Sequence, residues 1–226
     1  PNLAVVIVSG NAVAMPWIGR VPAVLEAWFS GSEAGNALAD VVFGAVNPSG
    51  KLPFTFPVRL EDNSAHALGE YPGGDTVTYN ESIFVGYRWH DKERLEPLFA
   101  FGHGLSYTTF AVGNVKADRT TLASKGSIRI SADVTNTGDR AGAEVVQLYI
   151  GDEQSSLPRP VKELKGFRKI ALDPGQTQTV TFEITPDMLR YYDDAKGAWV
   201  AEPGAFTAYV GVASFYMRGT AGFELK

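Results

Sequence analysis

Cysteine is absent from the 226 residues, which excludes disulfide bridges, a thiolate nucleophile and thiolate metal ligation without identifying a compartment. Histidine is scarce. His66, His90 and His103 are scattered along the chain and form no metal-binding spacing. There is no excess of positive charge: 20 Lys and Arg against 25 Asp and Glu leave a net −5, so neither nucleic acid nor an acidic membrane surface suits this chain as a partner. The longest apolar run, Leu3 to Val8, falls far short of the roughly 20 residues that cross a bilayer, so no membrane span is expected. A Gly-rich phosphate loop, a nucleophile elbow, a fixed-period repeat and a low-complexity tract are all missing too. No cofactor and no metal site is expected, and no residue of the chain is assigned as catalytic.

What is present fits a folded protein of two modules, with 45% hydrophobic residues, 12% aromatic residues and 24 glycines that punctuate short segments. The chain opens on Pro1-Asn2 directly before an apolar run, which reads as an internal start. Leu3-Ala-Val-Val-Ile-Val8, ending at Ser9-Gly10, has no polar face and predicts a strand buried on both sides of a parallel sheet. Val21, Val24, Leu25 and Trp28 recur at helical spacing and predict a helix over 21–29, with Pro22 in its first turn. Ser32 is the expected N-cap of a second helix over 33–43, closed by Gly44. A strand followed by helices is an α/β pattern.

From Asn47-Pro48-Ser49-Gly50 the texture changes, and residues 58–78 read as a long surface connection. Beyond about residue 104 the pattern is all-β. Strands are predicted over 127–136, 143–151, 164–170, 177–184 and 204–212, with turn residues between them at Thr137-Gly138-Asp139, Asp173-Pro174-Gly175 and Glu202-Pro203-Gly204. In Thr179-Val-Thr-Phe-Glu-Ile184, Val180, Phe182 and Ile184 share one face, so one side of that strand is buried and the other wet.

The densest group of chemically capable side chains spans Thr78 to Asp91 and Glu96 to Thr108. There aromatics sit beside Glu81, Arg88 and Asp91, an arrangement suited either to sugar stacking or to packing at a seam. Glu81 is the one candidate substrate-binding residue. Its structural alternative is an ion pair with an arginine such as Arg88. Glu33 has a simpler reading, a negative charge at a helix start.

Tyr79-Asn-Glu-Ser-Ile-Phe-Val-Gly-Tyr-Arg88, paired with Phe101-Gly-His-Gly-Leu-Ser-Tyr-Thr108, resembles a motif pair of family 3 glycoside hydrolases. Val5–Gly10, Met15-Pro-Trp17, Ala27–Gly44 and Asn47–Pro53 look like the closing half of that family's second domain. Val134–Gly138, Glu144–Tyr149, Pro158-Arg-Pro160 and Leu164–Phe167 look like its fibronectin type III-like domain. The chain departs from the family at Ser82, where Gly is frequent, and at Ala100, where Pro is common.

The resemblance implies an α/β part followed by an all-β part. Residues 1–57 would be the C-terminal part of an α/β sandwich domain, 58–109 an interdomain connection carrying the two motifs, and 110–226 a fibronectin type III-like (immunoglobulin-like) β-sandwich. It further implies a retaining exo-acting β-glycosidase, foremost a β-glucosidase acting on β-glucoside or oligosaccharide. The family's catalytic aspartate lies in an N-terminal (β/α)₈ barrel and its acid/base glutamate upstream of the segment present here, so that barrel portion is the expected partner, in the same chain or as a separate one. The alternatives are a β-xylosidase of the same family and a non-catalytic carbohydrate-binding or adhesion module.

Overall fold

The computed structural model describes residues 3–226, so the start read at Pro1-Asn2 lies outside the described residues. The backbone divides into two units, the first ending at Gly104 and the second spanning Leu105–Lys226.

In the first unit, β1 (Ala4–Ile7) pairs in parallel with β2 (Ala23–Glu26), in a register running from Ala4 opposite Ala23 to Ile7 opposite Glu26. The parallel pairing is as expected, but two details differ. Within the first unit β1 is not buried on both faces: Leu3, Val6 and Val8 remain exposed. No helix forms over 21–29: a single 3₁₀ turn, Ile18–Arg20, comes just before it and β2 lies within it. The reason is local, because Val21 precedes Pro22, whose ring excludes the helical region for its neighbour. Val21 accordingly sits at φ −126°, ψ 121°. A run as short as Ala-Val-Leu-Glu satisfies either period, and the available edge of β1 selects the strand.

Helix α1 (Ala34–Val42) forms as predicted and ends where Gly44 N–H meets Val41 O at 3.0 Å. Its N-cap position is held by Glu33 rather than Ser32, with no side-chain bond to the helix backbone. The Glu33 carboxylate instead accepts from Asn36 Nδ2 at 2.6 Å. The stretch read as irregular holds a 3₁₀ turn, Leu60–Asp62, and a single helical turn, α2 (Ser64–Ala67), which Asn63 caps by accepting from Ala65 N–H at 3.2 Å. Helix α3 (Tyr87–Glu93) follows.

The second unit is a two-sheet sandwich. Its strands are β3 (Phe110–Ala117), β4 (Thr121–Leu122), β5 (Ile128–Asn136), β6 (Gly142–Asp152), β7 (Glu163–Leu172), β8 (Thr177–Ile184), β9 (Tyr191–Asp193), β10 (Ala198–Val200), β11 (Gly204–Ala213) and β12 (Tyr216–Leu225). One sheet runs β4-β12-β11-β6-β7, the other β3-β5-β8, and β9-β10 form a separate hairpin. Between the sheets lie Ile128, Ile130, Val134, Val146, Leu148, Phe182, Phe206, Val210 and Phe223, a continuous apolar core. Val180, Phe182 and Ile184 are all buried in β8 while the residues between them are exposed, which is the alternation read from sequence.

Two polar nodes tie this sandwich. Asn136 is fully buried and uses its whole amide. Oδ1 accepts from Thr108 Oγ1 at 2.8 Å and from Gly138 N–H at 3.1 Å, and Nδ2 donates to Arg140 O at 2.7 Å and Leu172 O at 3.0 Å. Arg159, whose side chain is only 8% exposed, bonds Asp152 at 2.9 Å and Glu163 at 2.7 Å, donates to Leu189 O at 3.1 Å and lies over the Tyr191 ring.

Candidate functional site

The segments singled out by sequence converge within the first unit. Lys51–Phe56 runs along Phe99–Gly104: Phe56 and Phe99 exchange both backbone bonds, Leu52 N–H donates to His103 O at 2.8 Å, and Gly102 N–H to Leu52 O at 2.7 Å. Lys51 Nζ caps the pair by donating to Gly104 O at 2.7 Å. The Asn47–Pro53 and Phe101–Thr108 motifs therefore zip together through backbone. An aromatic ladder follows the same seam, from Trp28 to Phe54 and Phe56 (5.7 and 6.3 Å between centroids), on to Phe99 (6.3 Å), and then to His103 stacked at 5.3 Å. Tyr87 stacks on Phe101 at 5.3 Å, joining the other motif to this one.

Glu81 sits in the turn that leads into α3. Its carbonyl accepts from Phe84 N–H at 3.0 Å, and its side chain is buried. Oε2 has no hydrogen-bond partner among the described residues, so the pairing with Arg88 expected from sequence does not reach that oxygen. Tyr79, two residues earlier, is 79% exposed.

The three histidines do not meet in one cluster. His66 lies against Tyr71 at 4.9 Å, His103 is part of the aromatic ladder, and His90 is buried in α3. His90 Nδ1 lies 3.2 Å from Leu95 O, and because a carbonyl can only accept, Nδ1 carries the proton. Burial holds the His90 imidazole below its ordinary pKa, outweighing that bond and the nearby Asp62 and Asp91 charges. Asp62 is lowered chiefly by its hydrogen bond from Arg59, at 2.8 Å. Among the described residues no group of three His, Asp or Glu side chains is arranged to hold a metal ion.

Two carboxylates escaped the sequence reading. Glu26 closes β2, where its Oε1 accepts from Trp28 N–H at 3.1 Å and its Oε2 from Ser9 Oγ at 3.3 Å. It therefore stands at the carboxyl ends of the parallel strands, the side on which α/β sheets bind ligands. Reading residues 21–29 as helix hid that position. Glu70 lies in the wall of an open groove of about 420 Å³ formed by residues 68–80. Its Oε1 accepts from Thr78 Oγ1 at 3.3 Å and Asn80 N–H at 3.2 Å, while its Oε2 is buried without a partner among the described residues. The size is that of a small-ligand site, but the walls are mostly glycine, threonine and proline rather than large apolar side chains.

Comparison with known proteins bears on both units. Residues 1–107 match the model of the glycosyl hydrolase family 3 C-terminal domain, and residues 144–214 match that of the fibronectin type III-like domain. The chain belongs to glycoside hydrolase family 3. Its α/β part and its sandwich are thus this family's C-terminal domain and fibronectin type III-like domain. The chain is 52% identical to the beta-glucosidase BoGH3A of Bacteroides ovatus over 99% of its length, covering 30% of that protein. It is 47% identical to the thermostable beta-glucosidase B of Acetivibrio thermocellus over 94% of its length, covering 28% of that protein. Among solved structures, a beta-glucosidase of Streptomyces venezuelae in complex with D-glucose superposes with a TM-score of 0.92 at 39% identity, over the whole of this chain and 29% of that one. The chain therefore spans about 30% of the length of the curated family 3 relatives it matches.

Proposed function

We propose that this chain forms the C-terminal portion of a retaining, exo-acting β-glucosidase that removes terminal glucosyl residues from β-glucosides. Residues 1–57 supply the end of the α/β domain, 58–109 the connection bearing the two motifs, and 110–226 the fibronectin type III-like sandwich. The observation that carries this reading is the 52% identity, over 99% of the chain, to a protein named as a beta-glucosidase.

The partner is the (β/α)₈ barrel portion of the same enzyme. Support comes from the apolar surface of the first unit, where Phe29 is 77% and Phe43 86% exposed and α1 buries no residue. Patches of that kind mark surfaces that another part of a protein covers. A retaining glycosidase needs a nucleophilic carboxylate and an acid/base carboxylate roughly 5–5.5 Å apart. On the family resemblance neither comes from residues 1–226. The purified chain is expected to leave p-nitrophenyl β-glucoside unhydrolysed and to turn it over once joined to its barrel portion. Hydrolysis by the chain alone, with mass spectrometry excluding any barrel fragment, would overturn the assignment.

Glu81 acts as a structural carboxylate on this reading, because its side chain is buried and its Oε2 is shut off from solvent. In the complete enzyme Glu81→Gln should lower the melting temperature and leave the turnover of surviving enzyme nearly unchanged. A raised KM or reduced kcat at unchanged stability would make Glu81 a substrate contact instead.

A further inference from the structure

Between the Phe54-Thr55-Phe56 segment and helix α3 lies a small cavity whose lining includes Thr55, Asn63, Ser64, Trp89 and His90. About 20 Å³ of it admits the centre of a water molecule. The requirement for holding one is roughly 10–15 Å³, together with two to four polar partners. The walls offer such partners. Thr55 and Trp89 are 9% and 6% exposed, and Thr55 Oγ1 and Trp89 Nε1 are both buried with no hydrogen-bond partner among the described residues. One is a hydroxyl able to donate or accept, the other an indole N–H able only to donate. His90 is 6% exposed, and since its Nδ1–H is given to Leu95 O, the neutral ring keeps Nε2 as an acceptor. Asn63 Oδ1 is already engaged in capping α2.

We propose that this cavity is a binding site for one internal water, which accepts from Trp89 Nε1–H and bonds Thr55 Oγ1, pinning α3 to the Thr55 segment. A single water suits this set of groups. It is small enough for the space, it can accept from the indole while donating elsewhere, and the lining holds no charge that would call for an ion. An apolar guest would leave both buried groups unsatisfied. Trp89 follows directly on the Tyr79–Arg88 motif, so the water would join the end of that motif to the Thr55 segment through side chains.

The test uses the intact 226-residue chain. A high-resolution crystal structure is expected to show density for one water within about 3.2 Å of both Trp89 Nε1 and Thr55 Oγ1. In solution, the Trp89 indole N–H signal, identified by its loss in Trp89→Phe, is expected to show a nuclear Overhauser cross-peak to a long-lived water. A cavity without density, an indole bonded directly to Thr55 Oγ1, or an indole proton with no water cross-peak would each overturn the proposal. The crystallographic and wild-type solution measurements do not depend on any variant folding.

Discussion

Ser82 adopts φ 53°, in the left-handed region, and closes the turn Tyr79–Ser82 with its N–H 3.0 Å from Tyr79 O. A side chain there costs roughly 1–2 kcal/mol, whereas glycine, which meets no such clash, loses about 0.5–1 kcal/mol more backbone entropy on folding. Ser82→Gly should therefore stabilise the chain by up to about 1 kcal/mol, measurable as a raised melting temperature. A lowered melting temperature would mean that the serine hydroxyl contributes more than the backbone costs. The same arithmetic explains why the family favours Gly at this place, something the sequence displays only as a departure from a motif. The Phe101-Gly-His-Gly104 motif has an equally physical origin. Gly102 has φ 82°, and a Cβ on Gly104 would stand 2.1 Å from Gly50 O. These residues were legible as a motif, but their reason lies in a backbone approach between positions some fifty residues apart. Asn136 shows a similar limit, because Val134-Thr-Asn-Thr-Gly138 marks a turn while the four bonds of its amide depend on Thr108, Gly138, Arg140 and Leu172.

At the level of elements, the sandwich strands were readable because an antiparallel strand with one wet face writes its period directly into the sequence. Strand β8 matches its predicted bounds, and β5, β6, β7 and β11 agree within two residues at either end. Strands β3 and β12 left weaker traces. In β3 the register shifts between Gly113 and Lys116, and Asn114 there has φ 53°, so the alternation breaks midway. In β12, Gly219 and Gly222 dilute the apolar positions, and a Cβ on Gly219 would come 2.7 Å from Val115. The α/β elements obey a different logic. Four residues, Ala23–Glu26, carry no decisive period, and what selects a strand is Pro22 acting on Val21 together with the free edge of β1. Pro22 is compatible with a helix's first turn, yet the constraint it places on Val21 decides against the helix. Glu26 follows from the same constraint, because its carboxylate becomes noticeable only as the end of a strand.

On the scale of the whole molecule the two units differ in how far they satisfy themselves. The second unit buries a single cluster running through β4, β5, β6, β8, β11 and β12, whereas the buried apolar residues of the first are Met15, Phe56, Trp89 and Ala100 among the described residues. Fully burying one aliphatic or phenyl side chain contributes roughly 1.5–3 kcal/mol, so the sandwich has the means to offset its own chain entropy. Residues 105–226 expressed alone should fold cooperatively, with a β-type circular dichroism spectrum and one denaturant transition. A helical or unfolded spectrum would sink that expectation. The acid limb of this fragment follows from its charges. It contains no histidine, and Asp118, Asp133 and Asp193 are all held below the ordinary carboxylate pKa, by hydrogen bonds led respectively by Arg129 N–H, Thr179 Oγ1 and Lys196. A carboxyl with a depressed folded pKa binds fewer protons folded than unfolded. Its contribution is thus complete above the unfolded value, near about 4, and disappears as pH falls through the lower folded value. Denaturant midpoints of the fragment should accordingly show no carboxylate-driven loss between pH 7 and about 5, then drop below about 4. The intact chain adds His90, whose folded pKa is lowered, so the unfolded state takes up a proton first and stability declines from about pH 6.5 downward. A midpoint that falls between pH 6.5 and 5 in the intact chain but not in residues 105–226 would place that loss in the first unit. Equal slopes in both would remove His90 as its source.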